Sequence, residues 1–231
     1  MQNTRTLSIV VPCYNESKTI SLLLNRLLAV DIAPWKKEIV VVDDRSTDGT
    51  REILKEFESF LCVVYQEKNG GKGTAVARGL AQAAGDYILI QDADLEYDPE
   101  EIPLLLAAID TEKVEVVYGS RNLRPRERQG GRIPRLGVWF ITKLINVLYG
   151  LRLTDVWTCY KLFPRAGGVF VAGGFESELL FTAALARRRY QFAEVAISYH
   201  PREVQEGKKI RYRDGLYAIF AIIVDWVRFG R

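Results

Sequence analysis

Asp92-Ala93-Asp94 closes the apolar run Tyr87-Ile88-Leu89-Ile90-Gln91. In an extended chain, residues i and i+2 point to one side, so both carboxylates leave a sheet edge together. Two carboxylates in a pocket are costly unless something positive sits between them. A divalent cation that also holds a nucleotide diphosphate is the natural occupant. Taken alone, Asp-x-Asp reads as a polar loop after a strand. The other polar motifs of the chain tell against that bland reading.

Those motifs need elements to position them. Leu7 to Val11 is a continuous apolar run that reads as a buried parallel strand. Pro12-Cys13-Tyr14-Asn15-Glu16 follows as a loop, and Ile20, Leu23, Leu24, Leu27 and Leu28 then repeat at helical spacing. Glu38 to Val42 is the next buried strand, ending in Asp43-Asp44-Arg45-Ser46-Thr47-Asp48-Gly49-Thr50 and a helix to about Phe57. Cys62 to Tyr65 is a third strand, and Asn69-Gly70-Gly71-Lys72-Gly73 opens a small-residue helix. Tyr87 to Gln91 is the fourth strand, Pro99 begins a helix, and Val114 to Tyr118 is another strand. The alternation predicts a parallel, doubly wound α/β sheet with helices on both faces. Ligands of such sheets sit beyond the carboxyl ends of the strands, so Glu16, Asp43/Asp44 and Asp92/Asp94 are expected to share one edge.

After Arg121 the alternation stops. Residues 121–135 hold six arginines against one acid, Glu127, and Lys208, Lys209, Arg211 and Arg213 form a second basic cluster. Both suit phosphates or an anionic surface. Helices are expected over Arg135–Tyr149, from Gly173-Gly174-Phe175-Glu176 to about Arg188, and over Asp214–Phe229. Phe192–Ser198 reads as a strand and Tyr199–Arg211 as a charged loop.

The 231 residues are 48% hydrophobic and 26% charged with a net charge of only +3, so the chain is globular and no polycation, and nucleic acid is not an expected partner. Cys13, Cys62 and Cys159 lack zinc-ligand spacing and fit a reducing cytosol; Cys13 and Cys159, without a histidine partner, read as packing residues. The N-terminus runs straight into a strand and reads as carrying no signal peptide. The apolar run Leu216–Val224 falls well short of the roughly 20 residues a bilayer span needs. Any membrane contact is therefore expected to be peripheral.

Taken in order, Val11-Pro12-Cys13-Tyr14-Asn15-Glu16, Asp43-Asp44-Arg45-Ser46-Thr47-Asp48-Gly49-Thr50, Asn69-Gly70-Gly71-Lys72-Gly73, Asp92-Ala93-Asp94 and Tyr118-Gly119-Ser120-Arg121 resemble the family-two inverting glycosyltransferases of the GT-A fold. Phe175-Glu176-x-Glu178 and Tyr199-His200-Pro201-Arg202-x-x-x-Glu206-Gly207-Lys208-Lys209-Ile210 look like the dolichyl-phosphate mannose synthase group. The resemblance implies one GT-A domain over 1–231. Residues 1–121 would be its nucleotide-sugar half and 122–231 its acceptor and membrane-interface half. It also implies a nucleotide-sugar donor, GDP-mannose foremost or a UDP-sugar, a polyprenyl (dolichyl) phosphate acceptor, Mg²⁺ or Mn²⁺, and a place on the cytoplasmic face of a membrane. Carried over by residue, Pro12, Tyr14 and Glu16 would line the nucleoside pocket, with Val41 and Asp43 beside the base. Asp92 and Asp94 would carry the metal and diphosphate, Ala93 would lie against the ribose, and Glu96 would complete the metal shell. Arg121, Arg135, Arg202 and Lys208 would contact phosphates of donor and acceptor. Thr158-Cys159-Tyr160-Lys161 departs from the family at Cys159, where glycine is common.

The chemistry separates acceptor classes. A sugar hydroxyl needs a general base, whereas a phosphate monoester is already anionic near neutral pH. The single histidine, His200, lies in a basic loop and is a poor base; Asp155 or Glu176 remain open for that role, and Lys161 is a further site candidate. Arginine in excess favours an anionic acceptor. The helices at 138–149 and 216–229 carry apolar residues on more than one face. They suit either an interfacial helix pair or packing against each other, a second copy or a membrane-protein partner. A glycan acceptor and a non-catalytic nucleotide-sugar-binding subunit are the rival readings. Asn69-Gly-Gly-Lys-Gly lacks the spacing of an NTPase phosphate loop, and no Gly-x-Gly-x-x-Gly follows the first strand.

Overall fold

The computed structural model describes residues 4–124, 135–168, 176–201 and 212–229. Arg202 and Lys208 lie outside these residues, and so does the side chain of Arg135.

The apolar runs become β1 (Thr6–Cys13), β2 (Lys36–Asp43), β3 (Cys62–Tyr65), β4 (Tyr87–Ile90) and β5 (Val116–Ser120). Between them lie α1 (Ile20–Ala29), α2 (Thr50–Lys55), α3 (Lys72–Gln82) and α4 (Ile102–Glu112), the last entered through a 3-10 turn at Pro99–Glu101. The second half adds α5 (Arg135–Tyr149), β6 (Lys161–Pro164), α6 (Glu176–Arg187), β7 (Phe192–Ala196) and α7 (Tyr212–Phe229). The seven strands form one sheet in the order β3-β2-β1-β4-β6-β5-β7.

β-branched residues fill the centre of this sheet, where both faces are covered. Alternation along β2 shows it: Ile39 and Val41 join the large core, while Val40 and Val42 pack on Ala75 of α3. On the large-core face, Ile20, Leu23, Leu24 and Leu27 of α1 are all buried, as their i, i+3, i+4, i+7 spacing requires. On the other, α3 lies so close to the sheet that a Cβ at Gly79 would overlap Val10 and crowd Val42. The small-residue composition of α3 is thus a packing requirement.

The sheet is mostly parallel, as the GT-A resemblance implied: β3-β2-β1-β4 and β5-β7 run parallel. β6 slots between β4 and β5 and runs antiparallel to both. The loop at residues 154–160 is tied to Arg121 at the carboxyl end of β5, so a strand leaving that loop must run away from this edge. From β1 the chain winds outward through β2 to β3, then returns to place β4 on the other side of β1. The loops after β1 and β4 part at that reversal and leave a crevice.

Candidate active site

An open cleft of about 370 Å³ occupies this crevice. Its walls come from the loop after β1 (Pro12, Cys13, Tyr14, Glu16), from Asp44 after β2, from Asn69, Gly71, Lys72 and Ala75 around the start of α3, and from Asp92, Ala93 and Asp94 after β4. The volume is that of an ordinary small-ligand site.

Short polar bonds hold these loops in register. Asn15 adopts a left-handed backbone (φ 55), which asparagine tolerates better than most residues. Its N–H donates to Ser46 Oγ (2.9 Å), and its side-chain oxygen accepts from Thr47 N (2.8 Å). Glu16 N donates to Thr50 Oγ1 (2.9 Å). The loops after β1 and β2 therefore form one unit.

The adjacent acids Asp43 and Asp44 part company. Asp43 is fully buried, with its carboxylate on Arg51 Nε (2.5 Å) and Ser46 N (3.2 Å). Asp44 reaches the cleft wall and accepts from Gly70 N and Gly71 N, both at 2.7 Å, and from Gln66 Nε2 (2.9 Å). Gly71 has φ +79, which side-chain-bearing residues rarely adopt. The glycine turn thus cradles a carboxylate of the chain itself and aims the start of α3 at the cleft.

At that start sits Lys72, whose ammonium lies 2.7 Å from Asp92 Oδ1 and 2.8 Å from Glu178 Oε1 of α6. Glu178 in turn faces Lys161 Nζ of β6 at 3.4 Å, and Lys161 also donates to the carbonyl of Thr158. Charge alternates along this row: Asp92, Lys72, Glu178, Lys161. Burial alone would raise the pKa of Glu178; the two ammonium groups outweigh it and bring the pKa down to about 2. Partial desolvation at the cleft would lower the pKa of Lys72, yet Asp92 and Glu178 raise it above the ordinary value and keep the group charged.

This row makes a pH prediction. Glu178 titrates near 2 in the fold against an ordinary value of 4.5, so its ionised form stabilises the protein above about pH 4.5, and that contribution fades as pH falls toward 2. Thermal denaturation across pH is expected to show the parent losing stability over this window more steeply than Glu178→Gln. The variant melts lower at pH 7, where Lys72 and Lys161 keep their charges without the carboxylate.

The expected site residues divide. Pro12, Tyr14, Glu16, Asp92, Ala93 and Asp94 line the cleft together. Val41 and Asp43 are buried and do not line it. Glu96 is 4% exposed and turned to Tyr199. Arg121 pairs with Asp155 by Nε (2.7 Å) and Nη2 (2.9 Å). Asp44 lies at the ligand edge as expected, whereas sequence reasoning gave no role to Lys72 in the cleft and none to the ammonium link through Glu178. The signal for Lys72 was its place directly after the Gly70-Gly71 turn at the ligand edge. Cys159 is buried, which pushes its thiol up and disfavours a reactive thiolate.

Asp92 and Asp94 suit an oxygen-preferring divalent cation. Such ions take one or two carboxylates and complete their shell with substrate phosphates and water. Among the described residues no group of three or more His, Cys, Asp or Glu side chains gathers to hold a metal without such help.

Residues 8–167, from β1 to just past β6, match the model of glycosyl transferase family 2. The chain belongs to glycosyltransferase family 2. Among the relatives of this family-2 chain is dodecaprenyl-phosphate galacturonate synthase of Rhizobium johnstonii, 27% identical over 95% of this chain and 64% of the relative. Another is undecaprenyl-phosphate 4-deoxy-4-formamido-L-arabinose transferase of Shewanella sediminis, 33% identical over 71% of this chain and 50% of the relative. A third is the low-salt glycan biosynthesis hexosyltransferase Agl6 of Haloferax volcanii, 32% identical over 86% and 48%. The family-2 chain thus spans about half to two thirds of the length of these relatives. In fold it is similar to mannosyl-3-phosphoglycerate synthase from Rubrobacter xylanophilus (TM-score 0.73, 23% identity, 97% of this chain and 74% of that one). It is likewise similar to glucosyl-3-phosphoglycerate synthase from Mycobacterium tuberculosis in complex with Mg²⁺ and UDP (TM-score 0.72, 22% identity, 98% and 80%). The fold is GT-A.

Proposed function

We propose that this family-2 chain transfers a hexose from a nucleoside diphosphate sugar to a polyprenyl phosphate, with Mg²⁺ or Mn²⁺. The observation that carries the reading is the pair Asp92 and Asp94 beside Lys72 in a cleft at the reversal of the sheet. Asp92 and Asp94 would hold the cation, which when bound neutralises the leaving diphosphate. Lys72, kept charged by Asp92 and Glu178, adds a fixed positive group on the same side. In the transfer, an acceptor oxygen bonds to the anomeric carbon from the face opposite the leaving group. The bond from that carbon to the diphosphate oxygen breaks, and the nucleoside diphosphate leaves with the electron pair.

The carboxylates that could serve as a base favour a phosphate acceptor. Asp155 is committed to Arg121, and Glu178, with its pKa near 2, is a weak base for a sugar hydroxyl, which leaves Glu176 at the start of α6 for that role. A phosphate nucleophile requires no such base. The names of two of the relatives carry polyprenyl phosphates as well.

A polyprenyl tail calls for an apolar surface. Helix α7 docks through Ala218, Ile222 and Asp225, the last bonded to Tyr149 of α5 (2.6 Å) and to Arg187 of α6. Its other face exposes Tyr217, Phe220, Val224 and Val227 at helical spacing, and α5 exposes Trp139, Phe140 and Val147. Among the described residues no helix is long and apolar enough to cross a membrane. We assign the α7 stripe to the cytoplasmic face of a lipid bilayer.

GDP-mannose leads the donors by resemblance, while the relatives' names carry galacturonate and 4-deoxy-4-formamido-L-arabinose, so the test spans sugars. Radiolabelled GDP-mannose, UDP-glucose and UDP-galacturonate are offered with Mn²⁺ to undecaprenyl phosphate in vesicles, to a short water-soluble prenyl phosphate, and to free mannose. Transfer to both phosphates and none to mannose is expected. Phe220→Ser with Val227→Ser lowers transfer in vesicles by about tenfold and spares the soluble phosphate. Transfer to mannose alone would overturn the reading.

A further inference from the structure

We infer that Glu96 is a positioning residue, and that it latches the stretch after β7 onto the loop that carries Asp92 and Asp94. The inference rests on the acceptor reading above for its functional consequence and on geometry for the rest.

Glu96 stands two residues beyond Asp94 and is engaged in three directions. Its N–H donates to Asp94 Oδ1 (3.2 Å). Its carboxylate accepts from the Tyr199 hydroxyl (2.9 Å), and its carbonyl accepts from His200 N (2.9 Å). Glu96 and Tyr199 are each 4% exposed, so the contact is made away from bulk water. Neighbouring contacts repeat the tie. Ser198 N donates to both oxygens of Glu101 (3.0 and 2.9 Å), and the Tyr199 ring lies between Tyr97, with centroids 5.5 Å apart, and the Arg121 guanidinium at 5.0 Å. The stretch that carries Arg202 and Lys208 begins two residues after His200.

One residue therefore touches the carboxylate of Asp94 on one side and two successive residues of the later segment on the other. Asp92 and Asp94 line the cleft, and the resemblance makes Glu96 a third cation ligand beside them. The contacts to Tyr199 and His200 give Glu96 a mechanical role as well: whatever orders Asp94 also orders the entrance to the basic segment. A lipid phosphate that relies on that segment would then be bound best when the acidic loop is already set.

The test separates a hydrogen-bonding latch from a charged ligand. Tyr199→Phe deletes one hydroxyl, Glu96→Ala deletes the acceptor, and Glu96→Gln keeps an acceptor oxygen without charge. Hydrogen exchange of the amides from Ser198 to His200 needs no activity. It is expected to quicken about fivefold in Tyr199→Phe and more in Glu96→Ala, and to stay near the parent rate in Glu96→Gln. In turnover, acceptor KM rises by a similar factor in the first two variants, donor KM holds, and Glu96→Gln rescues acceptor KM. Unchanged exchange in Tyr199→Phe, or Glu96→Gln behaving like Glu96→Ala, would overturn the latch. A parent protein that transfers no sugar to lipid phosphate would sink the acceptor reading and leave the exchange result to judge the latch.

Discussion

Asp94→Ala is expected to cut sugar transfer by about two to three orders of magnitude while the protein stays folded. Asp94 is half-buried at the mouth of the cleft, in a loop after β4 rather than within the sheet. The ion-paired core around it does not depend on its carboxylate: Lys72 keeps Asp92 and Glu178, and Arg121 keeps Asp155. Truncation therefore removes the carboxylate proposed to hold the cation and little packing. Asp92→Ala is a different experiment, because it also strips Lys72 of a partner and disturbs the row that runs to Lys161. Two measurements check the prediction together. Mn²⁺ with the donor nucleotide raises the melting temperature of the parent by mass action and should fail to do so in Asp94→Ala. The melting temperature without ligand should match the parent within a few degrees. Transfer that persists with a metal requirement intact would remove Asp94 from the site.

The part of this site that could be read from sequence is the part set by strand periodicity. β1, β2 and β4 are continuous apolar runs, so the polar loops at their ends were bound to one edge, and Glu16, Asp92 and Asp94 do meet there. Parity within a loop was harder. Asp43 and Asp44 are adjacent, and successive side chains of an extended chain point to opposite sides. Sequence reasoning set Asp43 beside the ligand; the structure sends Asp43 to Arg51 and gives the cleft wall to Asp44. β6 was only partly legible, within a stretch from Thr154 to Phe163 that reads as mixed strand or turn, for a related reason. It is four residues long, it includes a buried lysine, and its direction depends on a loop tie to Arg121 that no local pattern encodes. The charge row is the clearest case. Lys72 and Glu178 lie 106 positions apart, and only the packing of α6 beside the start of α3 makes them neighbours. A surplus of arginine and lysine suggests anions, yet whether those anions belong to a ligand or to the chain is decided by burial.

Arg121 shows the consequence, and Asp155→Ala is expected to be the most destabilising change considered. Arg121 and Asp155 side chains are 16% and 1% exposed and meet by a two-pronged contact at 2.7 and 2.9 Å. The carboxylate also accepts from Arg121 N (3.1 Å), and the same guanidinium reaches the Trp157 carbonyl (3.0 Å). Asp155 N is itself bonded to Glu194 Oε1 (3.0 Å) of β7, so the pair joins the ends of β5 and β7 to the loop before β6. Removing one member of a buried pair leaves the other charge without compensation, at a cost of about 3–5 kcal/mol. For a chain of this size that lowers the melting temperature by roughly 6–20 °C. Asp155→Asn keeps one acceptor oxygen and should fall between the parent and Asp155→Ala. The decisive comparison is the pair replaced together, Arg121→Met with Asp155→Leu, which removes both charges and keeps bulk. If the ion pair is chiefly structural, the double variant regains much of the stability lost in Asp155→Ala, because no orphaned charge remains. If Arg121 chiefly serves a phosphate, the double variant stays folded and loses transfer, and Asp155→Ala melts close to the parent. Melting curves without ligand distinguish these, since a phosphate contact contributes nothing to stability until phosphate is present.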